Sequence, residues 1–245
     1  MKGPPSKTAD PAGSESRMIR PPPSIRFSLC RAMTDPIRSL PLPLRPARVH
    51  ESEGPLAWGF AAITCAMRGG DLMWIRPGWR RDGLLPQALA PILPPERLLL
   101  ARTPDETATL AVAEEALKDG ALASVVVEIT RPLSLREGRR LQLAASAGGT
   151  TGLCLIPRGM GSVAAETRWH CAPAFGSGVM RWEIFKNKSG TIGAWHLRWN
   201  ESQGRVEVMS RALPVAGLAG RAASRSGGVL PPVAGNAAPL SERAG

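Results

Sequence analysis

Four short runs almost free of polar residues constrain this chain most: DLMWI (71–75), RLLLA (97–101), LASVVVEI (122–129) and TGLCLI (151–156). Each has the length of a strand, and runs as apolar as LASVVVEI and TGLCLI belong to a sheet covered on both faces. The intervening stretches supply the covering helices. Leu56, Phe60, Ile63 and Met67 form one apolar stripe, closed by Gly69-Gly70. A short helix over 83–93, broken by Pro91, is expected next. Thr103 is expected to cap a helix with Pro104 in its first position, Leu110, Ala113 and Leu117 on its buried face, and Gly120 at its end. Ser134 and Glu137 have the spacing of a capping box for a helix over Leu135–Ala147. Strands alternating with helices at this rhythm predict an α/β fold with a mostly parallel sheet and flanking helices. After Pro157 the pattern turns to alternation in TRWHCAPA, MRWEIFKN and AWHLRWNE, which predicts antiparallel strands extending the sheet.

The formal charge of +11 suggests a nucleic-acid binder until it is divided along the chain. Residues 1–48 hold 9 Lys/Arg against 3 Asp/Glu, residues 211–245 hold 4 against 1, and residues 49–210 hold 18 against 16. The expected domain is therefore almost neutral. With 10 of the 24 prolines in residues 1–48 and an Ala/Gly/Pro/Ser composition beyond Arg211, residues 1–47 and 211–245 are expected to be disordered tails around a 48–210 core. A start at Met33 would remove most of the first tail and leave the core intact. Cys30, Cys65, Cys154 and Cys171 show no metal-ligand spacing, no apolar run is long enough for a bilayer, and no signal peptide is read, so a reducing cytoplasm is the expected compartment, with no metal and no cofactor.

Gly54 and Gly59 have the separation of the two glycines in G-x-x-x-x-G-K-[ST], the loop that cradles phosphates between a strand and a helix. Phe60 and Ala61 occupy the places of its lysine and hydroxyl residue. The loop is expected without its chemistry, and a plain strand-to-helix turn stands beside that reading.

In element order and in HESEG with GFAA, LMWI, RLLLARTPDE, AVAEEAL, GALASVVVEI, LREGRRLQLAASAGGTTGLCLI, ETRWHCAPA and WHLRWN, residues 48–207 resemble a RecA-like core. More closely they resemble the ImuA family of damage-inducible mutagenesis proteins. The resemblance implies a nucleotide site whose remnants are Gly54, Gly59 and Glu128, the last at the place of the strand-end acid that helps hold Mg²⁺. The glutamate that positions the attacking water should follow LMWI, where Arg76, Pro77 and Gly78 stand. No catalytic residue is therefore assigned.

The resemblance further implies a non-catalytic adaptor in the SOS response. Its expected partners are a Y-family-like polymerase relative and a C-family error-prone polymerase of a translesion complex, with the RecA recombinase as a further candidate. A degenerate but active DNA-dependent ATPase is the alternative, and single-stranded DNA binding is expected to be weak and carried by the tails. Glu128 is open to a second reading as a strand-end residue bonded to a neighbouring loop, which is preferred. Lys186 and Lys188 fit a DNA or protomer contact as well as an exposed hairpin end. Trp182, Trp195 and Trp199, core by one reading, are taken as the partner-contact candidates, and the surface is expected to run on into the tail. The helical face around Arg136 to Arg140 comes next in line.

Overall fold

The structure, a computed structural model, describes residues 40–214 apart from 83, 85 and 191, together with the isolated residue 3. Among the described residues, nine strands form one sheet in the order β3-β2-β4-β5-β1-β6-β7-β8-β9. β1 (Val49–Glu53), β2 (Leu72–Pro77), β3 (Leu98–Thr103), β4 (Ser124–Glu128), β5 (Thr151–Leu155) and β6 (Thr167–Pro173) run parallel. β7 (Val179–Asn187), β8 (Gly193–Asn200) and β9 (Arg205–Ala212) add antiparallel to them. The expected change of direction thus comes one strand later, since TRWHCAP pairs parallel to β1. β9 was not anticipated: its half-exposed alternation is that of an edge, with no run of apolar residues to mark it.

The helices α1 (Ala57–Arg68), α2 (Pro86–Leu89), α3 (Glu106–Asp119) and α4 (Leu135–Gly148) follow local chemistry. In α4 the Ser134 hydroxyl accepts from the Glu137 N–H at 3.2 Å and the Glu137 carboxylate accepts from the Ser134 N–H at 2.8 Å, the reciprocal cap expected from their spacing. In α3 the cap is Asp105, which accepts from the Ala108 N–H at 2.8 Å. Thr103 is the last residue of β3 instead; its hydroxyl donates to the Arg76 carbonyl, so strand pairing took the residue that local sequence offered to the helix. RLLLA does not lie inside the sheet either. As β3 it is the edge strand, and Leu99 and Leu100 are exposed.

One core lies on the α1 side of the sheet, around Phe60, Trp74, Leu153, Trp169, Trp182 and Trp195. The other lies under α3 and α4, around Ile75, Leu117, Val127, Leu141 and Cys154. Among the described residues no helix is long and apolar enough to cross a membrane.

The first core also takes in part of the segment expected to be a disordered tail. Leu40 and Leu44 are buried in it, and the Leu44 carbonyl accepts from the Arg68 guanidinium. Proline-rich composition rules out a regular element here, but two leucines can still be buried. Residues 1–39, except 3, and 215–245 lie outside the described residues.

This lead-in is tied down through His50. The ring Nε2 donates to the Arg45 carbonyl at 2.9 Å, so Nδ1 accepts from the Thr167 hydroxyl at 2.7 Å, and Thr167 in turn accepts from Trp169 Nε1. Burial holds the His50 pKa down from 6.5 to about 4. The unfolded chain therefore binds a proton that the folded ring refuses. Stability from this group is complete above pH ~6.5 and falls by about 3 kcal/mol as pH drops towards ~4. The buried carboxyls of Glu51 and Glu128, both raised by burial, act in the opposite sense, so the comparison must isolate the ring. Unfolding free energies of the wild type and of His50→Gln should differ less near pH 4.5 than near pH 7. An equal gap at both pH values would refute the buried neutral histidine.

Candidate functional site at the carboxyl ends of the strands

In a parallel sheet the carboxyl ends of the strands are where ligands bind, and here that edge carries buried acids. Glu128 ends β4 at 1% exposure, held by β2 beside it. Trp74 Nε1 donates to Glu128 Oε1 at 2.9 Å. Arg76 Nε lies 3.4 Å from the same oxygen, and Arg76 Nη2 and Arg80 Nη1 each lie 3.5 Å from Oε2. The Arg76 guanidinium stands 5.1 Å from the Trp58 ring centre and that of Arg80 5.7 Å, a cation–π shelf supplied by the first turn of α1. Asp82 pairs with both arginines. Burial raises the Glu128 pKa, and the Trp74 hydrogen bond and the two arginines offset part of that rise.

The carboxylate therefore already has protein donors on both oxygens. A cation bound there would have to displace Arg76 and sit beside two guanidinium groups. Arg76 stands where the resemblance called for a water-positioning glutamate, and its charge is of the opposite sign. The pairing of Arg76 with Glu128 was not foreseen, because the sequence does not say that β2 and β4 are neighbours; the available signal was a basic residue ending one apolar strand and an acid ending another. Among the described residues no group of three His, Cys, Asp or Glu side chains is placed to hold a metal ion.

Gly54 and Gly59 do not frame one loop. Only residues 54–56 separate β1 from α1, and Gly59 lies within the first turn of the helix. Gly54 is required by packing: its φ is +99°, and a Cβ would fall 2.5 Å from the Cys171 carbonyl oxygen of β6. At Gly59 a Cβ would meet open space. Phe60 and Ala61 point into the core with no exposure, Phe60 lying 5.2 Å from the Trp169 ring and 4.7 Å from that of Trp182.

Two further acids, on β1, went unnoticed in the sequence. Glu51 accepts from the Ser162 N–H at 2.7 Å and from Arg168 Nε at 2.7 Å; Glu53 accepts from the Gly159 N–H at 2.8 Å. They fasten the segment after β5 to the sheet, which places Arg168 in a buried ion pair while Arg158 stays exposed. Lys186 and Lys188 work on the same segment. Lys186 Nζ donates to the Ser162 and Val163 carbonyls at 3.0 and 2.8 Å, and Lys188 Nζ to the Ala164 carbonyl at 2.7 Å. Burial, and next the Arg168 charge, lower the Lys186 pKa to about 8.

Two of the three tryptophans expected at a partner surface lie inside the domain. Trp182 and Trp195 have no exposure, because α1 and the 40–44 lead-in cover that face of the antiparallel strands. Trp199 is half-buried, and its Nε1 donates to the Pro91 carbonyl at 3.2 Å.

No protein-family model matches the chain. The fold is RecA-like: the crystal structure of the RadB recombinase superposes with a TM-score of 0.52 over 67% of this chain and 92% of that one, at 16% identity, which shows the fold alone. In sequence the chain is similar to Protein ImuA of Caulobacter vibrioides, in strains NA1000/CB15N and ATCC 19089/CB 15. It is 33% identical to each over 156 residues, covering 55% of this chain and 63% of theirs. It thus spans less than two thirds of these relatives' length. The sequence similarity is to ImuA proteins over part of their length, and the fold is RecA-like.

Proposed function

We propose that this chain is a RecA-like accessory protein of damage-inducible mutagenesis, which acts by holding other proteins and does not turn over ATP. The observation that carries the reading is the enclosure of Glu128: Trp74, Arg76 and Arg80 occupy the carboxylate that a magnesium–nucleotide site would need. Phe60 and Ala61, turned into the core, support it, since neither a phosphate-binding ammonium nor a metal-binding hydroxyl is offered there. The family similarity supports a place in an error-prone translesion synthesis complex of the cytoplasm, with the polymerase relatives named above as partners.

The expected result is ATP turnover at background, with or without single-stranded DNA, by a purified chain that is captured with such a polymerase from DNA-damaged cells. Turnover that disappears in Glu128→Gln would overturn the non-catalytic half of the reading in favour of a DNA-dependent ATPase. Failure to capture any polymerase would overturn the adaptor half.

A further inference from the structure

Helix α4 buries one face in the domain and leaves two leucines exposed on another. Gly138, Leu141, Ala144 and Ala145 are buried, with Gly138 so close to the loop after β5 that a Cβ would fall 2.4 Å from Ser162 Oγ. Gln142 locks the helix in place, bonding Val49 through its backbone and donating to the Ala164 carbonyl at 3.1 Å. The outer face repeats at i, i+4 and i+8 as Leu135, Arg139 and Leu143, and Leu135 and Leu143 are 44% and 71% exposed. Val163, 52% exposed on the neighbouring loop, and Lys188 from the end of β7 complete a groove of about 420 Å³.

Three exposed aliphatic side chains converge here between two cations, an arrangement that a solvated helix face does not need. Its floor is rigid, because Lys186, Lys188 and Gln142 all bind the carbonyls of residues 162–164.

We propose that this groove docks an acidic amphipathic helix of a partner protein. Leu135 to Leu143 spans about 12 Å, two turns of a helix. Apolar side chains of the partner at i and i+4 would cover Leu135, Leu143 and Val163, and its flanking carboxylates would meet Arg139 and Lys188. The charge selects an acidic partner. The aliphatic lining favours a peptide over nucleic acid, because the lining has no ring on which a base could stack.

The inference deepens the accessory reading by naming the surface such a protein would use. Its test uses the full chain and a synthetic helical peptide with leucine at i and i+4 and glutamate at its other exposed positions, followed by fluorescence anisotropy. Leu143→Glu and Arg139→Glu, both exposed and so expected to keep the fold by circular dichroism, should each weaken binding by about tenfold or more. Arg139→Glu combined with Lys188→Glu should prefer the same peptide with lysine in place of glutamate. No binding by the wild type, equal binding by the variants, or displacement by a single-stranded oligonucleotide would overturn the proposal. So would a concentration-dependent dimer that Leu143→Glu dissociates, because the occupant would then be a second copy. A chain that binds the peptide through this groove yet turns over ATP would defeat the non-catalytic reading and leave the groove standing.

Discussion

Glu128→Ala is expected to lower the stability of the domain by about 3–5 kcal/mol, the effect of stripping one partner from a buried ion pair. Arg76 is 1% exposed and draws its countercharge from Glu128 and from the half-exposed Asp82. Without Glu128 the Trp74 N–H stays buried with no acceptor and the buried Arg76 guanidinium keeps only the solvent-exposed Asp82 as its countercharge. Glu128→Gln should be milder, because an amide oxygen can still accept from Trp74. Adding Arg76→Leu to Glu128→Ala should recover part of the loss, since a buried pair removed whole is far better tolerated than one broken. Denaturant unfolding of the four proteins measures this. A loss below about 1 kcal/mol for Glu128→Ala would show a carboxylate available for other ligands, and the reading of the site would change with it.

The second large effect concerns the place where a phosphate loop carries its lysine. Phe60→Lys is expected to unfold the domain or leave it severely destabilised, and not to restore nucleotide binding. The Phe60 ring packs against Trp169 and Trp182 with no exposure. Truncation to alanine alone should cost about 3–5 kcal/mol, and an ammonium adds the penalty of burying an unpaired charge. For a domain of this size even 3 kcal/mol lowers the melting midpoint by roughly 6–12 °C. A Phe60→Lys protein that melts within a few degrees of the wild type would place residue 60 at a solvent-facing loop, contrary to the structure.

Both results turn on facts of different legibility. The helix ends could be read because their causes are local: Ser134 and Glu137 are three residues apart, and Gly120 takes the left-handed turn that ends α3, at φ +82°. The parallel sheet could be read because strands buried on both faces leave a run of apolar residues in the chain itself. The same logic failed at β3, where Leu98, Leu99 and Leu100 promise burial that an edge position does not provide.

What the sequence determined by itself is the class of fold, its element order as far as β8 and the near-neutrality of residues 49–210. The tertiary structure alone decided that Trp182 and Trp195, directly paired across β7 and β8, lie beneath α1. It also brought Arg76 to Glu128, closed Leu40 and Leu44 into the core, and left Leu143 outside. The reason is that periodicity reports which side chains of an element share a face, whereas the element that covers that face, or fails to, is set by contacts between residues far apart in the chain.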